Sequence, residues 1–359
     1  MSNIKTSTYQ GQICPVPIRN RDHIIIGHGS GGKLTEELIK NIFIPIFSSL
    51  TLSEGNDFAR IFSKDLIHGN TNLAISTDSH VITPLFFPGG DIGRLAVCGT
   101  VNDVAMSGAV PKYITAGFIL EEGLQIDTLI SVVKSMQSSA EEAQVEIIAG
   151  DTKVVERGKG DGLYITTAGI GIIPENIHIA GGNALPGDVV IISGTIGDHG
   201  IAVLSARNEL GFDTELTSDV SPLNHLIHEI INICPTTHVL RDPTRGGLAT
   251  TLNEIACQSN VNIVINEDSI PVKKEVLIAC ELLGFDPLYV ANEGKVVVFV
   301  PSSEAEIVVK AMRNNKYGVD SKIIGYVEKE PKGQVFLKTS IGGTRIIDIL
   351  SGEMLPRIC

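Results

Sequence analysis

The sequence predicts a two-domain protein of the mixed α/β (α+β) class, and three observations lead to this prediction. The chain has 359 residues, which at about 150 residues per domain is enough for two. From residue 73 onward, apolar β-rich runs alternate with helical patterns. A segment dense in Pro, Gly and Asn, residues 174–188, separates two such series. We therefore expect one domain over 23–175, a second over 176–348 and a tail over 349–359, with residues 1–22 unassigned.

Apolar periodicity places the individual elements of both domains. In the first domain, strands are predicted at 73–77, 113–120, 145–150 and 163–173, and helices at 91–108 and 127–143. In the second, strands are predicted near 188–194, 237–241, 261–266, 288–292, 295–300 and 322–328, and helices near 199–210, 223–232, 246–259, 273–284 and 303–314. The last residues, SGEMLPRIC, continue no periodic pattern, and Pro356 holds Leu355 extended. They are predicted to form a free tail.

Composition and charge exclude several classes of function. The formal charge of −13 repels nucleic acids and anionic membranes. Apolar runs such as VVVFV are far shorter than the roughly 18 residues of a spanning helix, so no membrane span is predicted. The start MSNIKTSTYQ has no apolar signal region, which predicts a cytoplasmic protein. Six cysteines without a C-x-x-C pair argue against a zinc site or a disulfide framework.

A glycine-rich loop, GHGSGGK at 27–33, follows the strand-like HIII and precedes the helix-like LTEELIKNIF. Glycines let backbone N–H groups approach a phosphate at the start of a helix, and three of these match the dinucleotide pattern G-x-G-x-x-G. The acid expected about 20 residues later would be Glu54, in a weakly structured segment, and Leu34 stands where a P-loop needs Ser or Thr. A dinucleotide site, a P-loop and a turn without a ligand all remain open from these residues alone.

One acid falls on the face of helix 91–108 that should point to the core. At 100° per residue, Asp103 lies within about 40° of Ile92 and Gly99, in an apolar stripe. A buried carboxylate without a partner is costly, and this position is too deep in the helix for an N-terminal cap. Asp103 is therefore predicted to contact a metal or a ligand, or else to form a structural ion pair.

Two further acids lie at the ends of predicted strands. Period-two geometry puts Asp78 and His80 on one face of STDSH, and Asp151 and Lys153 on one face of AGDTK. Oxygen ligands suit a hard cation such as Mg²⁺, so Asp78, Asp103 and Asp151 are candidates to hold a cation and its phosphates. Each acid taken singly is more often a turn or cap residue. RDPTRGG (241–247) and ANEGK (291–295) place more polar groups at strand ends.

Nine motifs give the chain a resemblance to a known family. They are GHGSGGK, STDSHVITPLFFPGG, GTVNDVAMSGA, GFILEEG, AGDTKVVERG, SGTIGDHG, RDPTRGG, ANEGK and the terminal PRIC. Together they resemble the HypE family of hydrogenase maturation factors, which are ATP-dependent carbamoyl dehydratases of the PurM-like ATP-binding superfamily. Residues 1–22, with Cys14, precede the family pattern, and neither they nor Lys33 and His80 are given a role.

The resemblance implies a fold and a set of site residues. The N-terminal domain would be a four-stranded α/β unit that pairs with its mate in a homodimer, with ATP near that interface and a C-terminal α/β domain covering it. Asp78, Asp103 and Asp151 would hold Mg²⁺, Glu293 would be the general base, and Lys153 would offset phosphoryl charge or polarise the substrate oxygen. The residues implied in ATP binding are Gly29, Ser30, Gly31, Gly32, Asp78, Asp103, Asp151, Thr152 and Asn292.

The resemblance also implies a reaction. A carbamoyl group carried as a thiocarbamate on Cys359 would become a thiocyanate, which supplies a cyanide ligand for the iron of NiFe-hydrogenase. ATP would phosphorylate the carboxamide oxygen so that phosphate leaves while a base removes the N–H protons. The implied partners are the carbamoyltransferase HypF, as carbamoyl donor, and the HypC–HypD complex, as cyanide acceptor. Two alternatives stay open: another PurM-like ATP enzyme that acts on a free small molecule, and a non-catalytic thiol carrier or scaffold.

Overall fold

The N-terminal unit is built on a five-stranded sheet in the computed structural model, which describes residues 32–43, 46, 54–62, 72–207, 215–350, 355 and 358. Its strands are, in chain order, β1 (Ala59–Phe62), β2 (Asn72–His80), β3 (Phe86–Phe87), β4 (Gly90–Asp91), β5 (Val110–Glu121), β6 (Glu146–Val155) and β7 (Leu163–Ile173). β3 and β4 form a separate hairpin, and the others form the sheet in the order β1-β2-β7-β5-β6. β5 and β6 are parallel, and all other neighbours in this sheet are antiparallel.

The helices described in this unit are α1 (Lys33–Leu38), α2 (Ile92–Met106) and α3 (Ile126–Ala143). α2 begins after Asp91, whose carboxylate accepts the backbone N–H groups of Gly93 and Arg94 and so satisfies free donors of the first turn. Apolar side chains of α2 and α3 share one core cluster with those of β5 and β7. The four predicted strands and two predicted helices are confirmed. β1 was not predicted, because its sequence ARIF is short and does not alternate.

The C-terminal unit is a seven-stranded sheet with helices on both faces. Its strands are β8 (Asp188–Ile192), β9 (Val239–Arg241), β10 (Asn262–Asn266), β11 (Val297–Pro301), β12 (Lys322–Glu328), β13 (Gln334–Lys338) and β14 (Thr344–Ile347), in the order β14-β13-β10-β12-β8-β11-β9. Its helices are α4 (Asp198–Ala206), α5 (Asn224–Ile233), α6 (Gly247–Ser259), α7 (Lys274–Leu283) and α8 (Ala305–Asn314). Within the described ranges, no helix is both long enough and apolar enough to span a membrane.

The apolar runs of β8 and β11 are explained by burial on both faces of the sheet. Val190 and Phe299 pack in the cluster that contains the side chains of α6. Ile191 and Val298, which point the other way, pack with α5 and α8. A strand covered on both sides needs a continuous apolar sequence rather than an alternating one, which is why these two strands were predicted correctly.

In the C-terminal unit, the structure corrects one predicted element and adds two strands. The predicted strand 288–292 is wrong, because Pro287–Tyr289 form a 3₁₀ turn and residues 290–296 are irregular. The Asp286 carboxylate accepts the Leu288 N–H at 3.0 Å and so fixes the turn. β13 and β14 were not predicted, because both are short and lie beside glycine-containing turns.

The two units pack together through α2. Val104 of α2 lies in the same apolar cluster as Leu226 of α5. Asn102 donates to the Ser221 carbonyl at 3.0 Å and accepts the Leu223 N–H at 2.8 Å. These contacts fix α2, and with it Asp103, between the units.

The described residues of the C-terminal tail lie against both units, which differs from the free tail that the sequence predicts. Ile358 forms a β-bridge with Ile82 and is 5% exposed. Leu355 packs against the clusters that contain Val290 and Ala291. Burial of apolar side chains favours this docking. The segment is too short to have a periodic pattern from which its docking could be predicted.

Candidate active site

Acidic side chains from both units lie close together where α2 meets the C-terminal unit. Asp57 precedes β1, Asp78 lies on β2, Asp103 on α2, Asp242 directly after β9, and Glu293 in the irregular segment. Burial raises the pKa of Asp103 well above its ordinary value, and the charges of Asp242, Asp78 and Asp57 raise it further. Burial likewise raises the pKa of Glu293, followed by the charges of Asp78, Asp219 and Asp242. We call Asp57, Asp78, Asp103, Asp242 and Glu293 the acidic cluster.

Asp103 has a hydrogen-bond partner within the fold but takes part in none of the ion pairs of the described residues. The Ser76 hydroxyl donates to its Oδ2 at 2.7 Å. Other carboxylates, rather than a cation, dominate the charge around it. Of the two sequence-based alternatives, a structural ion pair is therefore not seen in the described part of the chain, and a metal or ligand contact stays a prediction.

Two arginines of the RDPTRGG motif face the acidic cluster. Arg241 forms ion pairs with Asp57, at 2.7 Å, and with Glu254, at 2.6 Å. The Nη2 atom of Arg245 lies 3.8 Å from Asp78 Oδ1. Two guanidinium groups are fewer than the carboxyl groups around them, so these arginines cannot pair with every acid of the cluster.

A cavity of about 260 Å³ opens beside these arginines. Its lining includes Thr35, Thr244, Thr250, Arg245 and Asp242. Burial, and then the charge of Asp57, raise the pKa of Asp242 to about 8. Hydroxyl and guanidinium donors suit phosphate oxygens, and carboxylates suit a hard cation.

The end of the predicted glycine loop lies at this cavity. Gly32 is buried and precedes α1, whereas residues 29–31 are outside the described residues. The Lys33 N–H donates to the Leu350 carbonyl at 3.2 Å. A Cβ atom on Gly32 would lie 2.5 Å from the same carbonyl oxygen, so this approach requires glycine. Thr35, which follows shortly, lines the cavity.

Glu293 is fixed through its backbone, while one oxygen of its carboxylate has no hydrogen-bond partner in the described part of the chain. Asp219 accepts the Glu293 N–H at 3.1 Å and the Gly294 N–H at 3.2 Å, and it pairs with Lys295 at 3.0 Å. The Oε1 atom of Glu293 is buried and finds no hydrogen-bond partner among the described residues. Because an unsatisfied buried oxygen is costly, this carboxylate is placed to meet a group that the folded chain does not itself supply.

Asn292, which the resemblance implies in ATP binding, has its amide bonded within the fold. Its Oδ1 accepts the Gly197 N–H at 2.7 Å, and its Nδ2 donates to the Pro243 carbonyl at 2.8 Å. The side chain therefore ties the segment that carries Glu293 to the loops before α4 and α6. A contact of Asn292 with the nucleotide stays a prediction.

Asp151, Thr152 and Lys153 lie on β6, at the edge of the N-terminal sheet. Asp151 pairs with Lys153 and accepts the Thr152 N–H at 2.8 Å. β7 and β5 separate β6 from β2, which at about 4.8 Å per strand puts Asp151 about 14 Å from Asp78. One chain thus brings Asp78 and Asp103 together but not Asp151, and no group of three side chains suited to a metal ion occurs where the structure is described.

Ile358, the last residue of the tail that the structure describes, lies close to the segment that carries Glu293. His199, at the start of α4, bonds through Nε2 to the Ile358 carbonyl. Ile358 belongs to the same apolar cluster as Ala291, two residues before Glu293. Cys359, the next residue, lies outside the described residues, so its role stays a prediction.

Three residues that matter here were not singled out from the sequence. Asp57 lies in the stretch SEGND and Asp219 in the stretch SDVSP, neither of which shows a periodic pattern. His199 lies inside the motif SGTIGDHG, so the resemblance contained a signal for it. For the two acids, only contacts distant in sequence reveal their place.

Comparison with known proteins identifies the family. The models for AIR synthase related protein match in tandem, the N-terminal domain over 56–173 and the C-terminal domain over 186–338. Carbamoyl dehydratase HypE of Cupriavidus necator is 50% identical over 336 residues, which cover 94% of this chain and 95% of that protein. Carbamoyl dehydratase HypE of Escherichia coli K12 is 47% identical over 338 residues, covering 94% of this chain and all of that protein.

Solved structures agree with this result. A chain in the crystal structure of a HypE–HypF complex matches with a TM-score of 0.82 and 48% identity, covering 87% of this chain and 99% of that one. The crystal structure of HypE in complex with ATP matches with a TM-score of 0.78 and 47% identity, covering 92% and 98%. The predicted PurM-like fold is confirmed, and the chain belongs to the HypE family of carbamoyl dehydratases.

Proposed function

We propose that this chain dehydrates an S-carbamoyl group on its own Cys359 to S-cyanate, consuming ATP, and so supplies the cyanide ligand of the iron in NiFe-hydrogenase. The observation that carries this proposal is the buried Glu293 carboxylate, whose Oε1 atom has no hydrogen-bond partner in the described part of the chain. It lies beside acids suited to a cation and near the docked Ile358. An acceptor for the amide protons of a tail-borne substrate belongs at such a place.

The residues of the site fit ATP with Mg²⁺. The acidic cluster holds more carboxyl groups than Arg241 and Arg245 can pair with, and burial, followed by the neighbouring acids, raises the pKa of Asp103. Asp78 and Asp103 would hold the ion, while Arg245 and the threonines of the cavity would face the phosphates. Bound ATP would supply the phosphoryl group that makes the carbamoyl oxygen a leaving group. The 47% identical HypE crystallised with ATP supports the same ligand here.

Glu293 would act as the general base. Its backbone is fixed by Asp219, so the carboxylate is held in place while its oxygen stays free to accept a proton. Burial and the neighbouring acids raise its pKa, which makes it a stronger base than an exposed glutamate. A cation bound by Asp78 and Asp103 would offset that negative field, so that Glu293 is ionised when the nucleotide is present.

A homodimer would account for Asp151, Thr152 and Lys153. They lie on β6, which pairs only with β5 among the described residues and forms an edge of the sheet, where Ile148 and Val154 are 50% and 67% exposed. An exposed apolar edge strand is unfavourable in an isolated chain. Pairing of two copies along this face would cover the strand. It would also bring Asp151 and Lys153 of one copy next to the acidic cluster of the other.

The remaining partners follow from the reaction. HypF would donate the carbamoyl group, and the crystallised HypE–HypF complex of a 48% identical relative supports this assignment. The HypC–HypD complex would accept the cyanide, as the family resemblance implies. A chain that merely carried a thiol would have no use for a buried carboxylate without a partner, so the site favours catalysis over a scaffold.

The intact mass of the carbamoylated protein, before and after Mg-ATP, tests the proposal. Dehydration removes the mass of one water from the chain, whereas a thiol carrier shows no change. Cys359→Ala should accept no carbamoyl group and lose no water, while it still binds ATP. Cys257→Ala, which removes an exposed cysteine elsewhere, should behave like the parent. If Cys359→Ala retained full turnover, the substrate would be a free small molecule and the proposal would be wrong.

A further inference from the structure

The docked tail is held by a hydrogen bond to the backbone of its penultimate residue. The Nε2 atom of His199 bonds to the Ile358 carbonyl, and its Nδ1 atom lies 2.8 Å from the Ser218 hydroxyl. His199 is fully buried, so water does not compete for either nitrogen. The imidazole therefore links the body of the C-terminal unit to the tail.

The direction of these hydrogen bonds follows from the atoms involved. The Ser218 oxygen accepts the Val220 N–H at 3.1 Å and lies 2.8 Å from Nδ1 of His199. Burial lowers the pKa of His199, and a neutral imidazole has one acceptor and one donor nitrogen. The Ile358 carbonyl can only accept, so Nε2 carries the hydrogen and donates to it. Nδ1 is then the acceptor nitrogen, and the Ser218 hydroxyl donates to it.

The side chain of Ile358 is buried among apolar residues. Ile358 lies in a cluster with Ile82, Phe87 and Val203, which come from both units. The Phe87 ring meets the His199 imidazole edge-on, at 5.5 Å between centroids and 88° between planes, so the residues that hold the side chain also pack the imidazole. The β-bridge to Ile82 adds contact along the backbone.

We propose that His199 is a positioning residue for the dehydration. Its hydrogen bond holds the carbonyl of the peptide bond between Ile358 and Cys359, a contact that we call the grip, and Ser218 fixes the tautomer that this hydrogen bond needs. The Ile358 carbonyl belongs to the same peptide plane as the nitrogen of Cys359, so fixing its oxygen restricts where the thiol can lie. The inference rests on the proposed function, in which Cys359 carries the substrate.

Alkylation of Cys359 by iodoacetamide in the nucleotide-free protein tests the grip. Cleavage after Glu353 releases residues 354–359, whose mass separates Cys359 from the other cysteines. His199→Leu, which removes the donor, should raise the alkylation rate about five- to tenfold, the loss expected for one hydrogen bond. His199→Gln, which can still donate an amide hydrogen, should stay within about twofold of the parent. His228→Leu, at an exposed histidine of α5, is the matched control.

Equal alkylation rates for His199→Leu and the parent, or for the Leu and Gln variants, would overturn the proposal. If His199→Leu does not fold, Ser218→Ala replaces it. That change removes the donor to Nδ1 and lets His199 adopt the other tautomer. The alkylation rate of Cys359 should therefore rise about two- to fivefold. An unchanged rate would also overturn the proposal. Under turnover, His199→Leu should lower kcat for dehydration without changing ATP affinity, and His199→Gln should restore kcat.

The alkylation rates do not depend on carbamoyl chemistry. An altered alkylation pattern together with no loss of water from the carbamoylated parent would therefore refute the proposed function and support the grip of His199 on the tail. Loss of water from the parent, together with unaltered alkylation of the variants, would support the proposed function and refute the grip of His199 on the tail.

Discussion

Asp219 holds Glu293 by its backbone: one carboxylate oxygen accepts the Glu293 N–H at 3.1 Å. The other oxygen accepts the Gly294 N–H and pairs with Lys295. Burial alone would raise the pKa of Asp219, but the Lys295 ammonium and the hydrogen bond from the Glu293 N–H act against it, and the pKa is lowered. A Cβ atom on Gly294 would lie 1.8 Å from the Asp219 carbonyl oxygen, so this contact also requires glycine. The acceptor side chain thus projects from a fixed segment.

Asp219→Asn should slow dehydration by about 10²-fold, the scale expected when a reacting group is misplaced by about 1 Å. The amide cannot accept both backbone N–H groups in the same way, and Lys295, only 11% exposed, loses its counter-ion. ATP affinity should change little, because Asp219 does not line the cavity beside the arginines. Titration with Mg-ATP and single-turnover mass measurements separate the two effects.

The matched control for this variant is Asp320→Asn. Asp320 lines the same surface pocket as Asp219 but is exposed and makes no contact with the Glu293 segment in the described structure. It should react at the parent rate. If Asp219→Asn also reacted at that rate, the fixed backbone of Glu293 would have no part in catalysis.

Asp242 should make the stability of the ligand-free protein depend on pH. Its pKa is about 8 in the folded chain, against an ordinary value of 3.8, so between these values the folded state binds the extra proton. The free energy of unfolding therefore falls as pH rises through this window. Asp242→Asn removes this pH-dependent contribution. The free energy of unfolding of the variant, relative to that of the parent, should therefore increase from pH 5 to pH 8. Urea unfolding at several pH values measures this difference, and a difference that is constant with pH would contradict the prediction.

Asp103→Asn should weaken Mg-dependent ATP binding about tenfold or more, the scale for groups that support a metal site. The amide keeps the shape and can still accept the Ser76 hydroxyl, but it lacks the charge that a cation needs. Folding should be unaffected or improved, because the carboxylate lies in a field of like charges. Calorimetric titration with Mg-ATP measures the affinity, with Asp268→Asn, at an exposed acid of the C-terminal unit, as control. Unchanged affinity and normal turnover would leave Asp103 with a structural role.

Local patterns were enough to find some residues of the site. Helical periodicity singled out Asp103 of α2, which accepts the Ser76 hydroxyl of β2, and alternation placed Asp78 near the end of β2, as the structure has it. Each of these predictions needs only the geometry of one element. The motif RDPTRGG likewise marked Arg241 and Arg245 as polar groups at a strand end.

Other features depend on contacts that no local pattern encodes. Asp219 and Glu293 are 74 residues apart, and Ile82 meets Ile358 from the opposite end of the chain. The segment 288–292 has buried apolar residues like a strand, but turn hydrogen bonds satisfy its backbone instead of a sheet. Tertiary packing decides such segments, so the sequence led to a wrong strand there and to a free tail.

Glu293→Gln should bind ATP and accept the carbamoyl group but stall before S-cyanate forms. The amide keeps the volume and the backbone contacts with Asp219 while it removes the basicity, and loss of a general base slows a reaction by about 10² to 10⁴. Single-turnover conversion, followed by intact mass, should therefore slow by at least about two orders of magnitude. Glu306→Gln, at an exposed position of α8, is the matched control. A slowing of less than roughly threefold would be far below the range for a general base and would make Lys153, or the departing phosphate, the better proton acceptor.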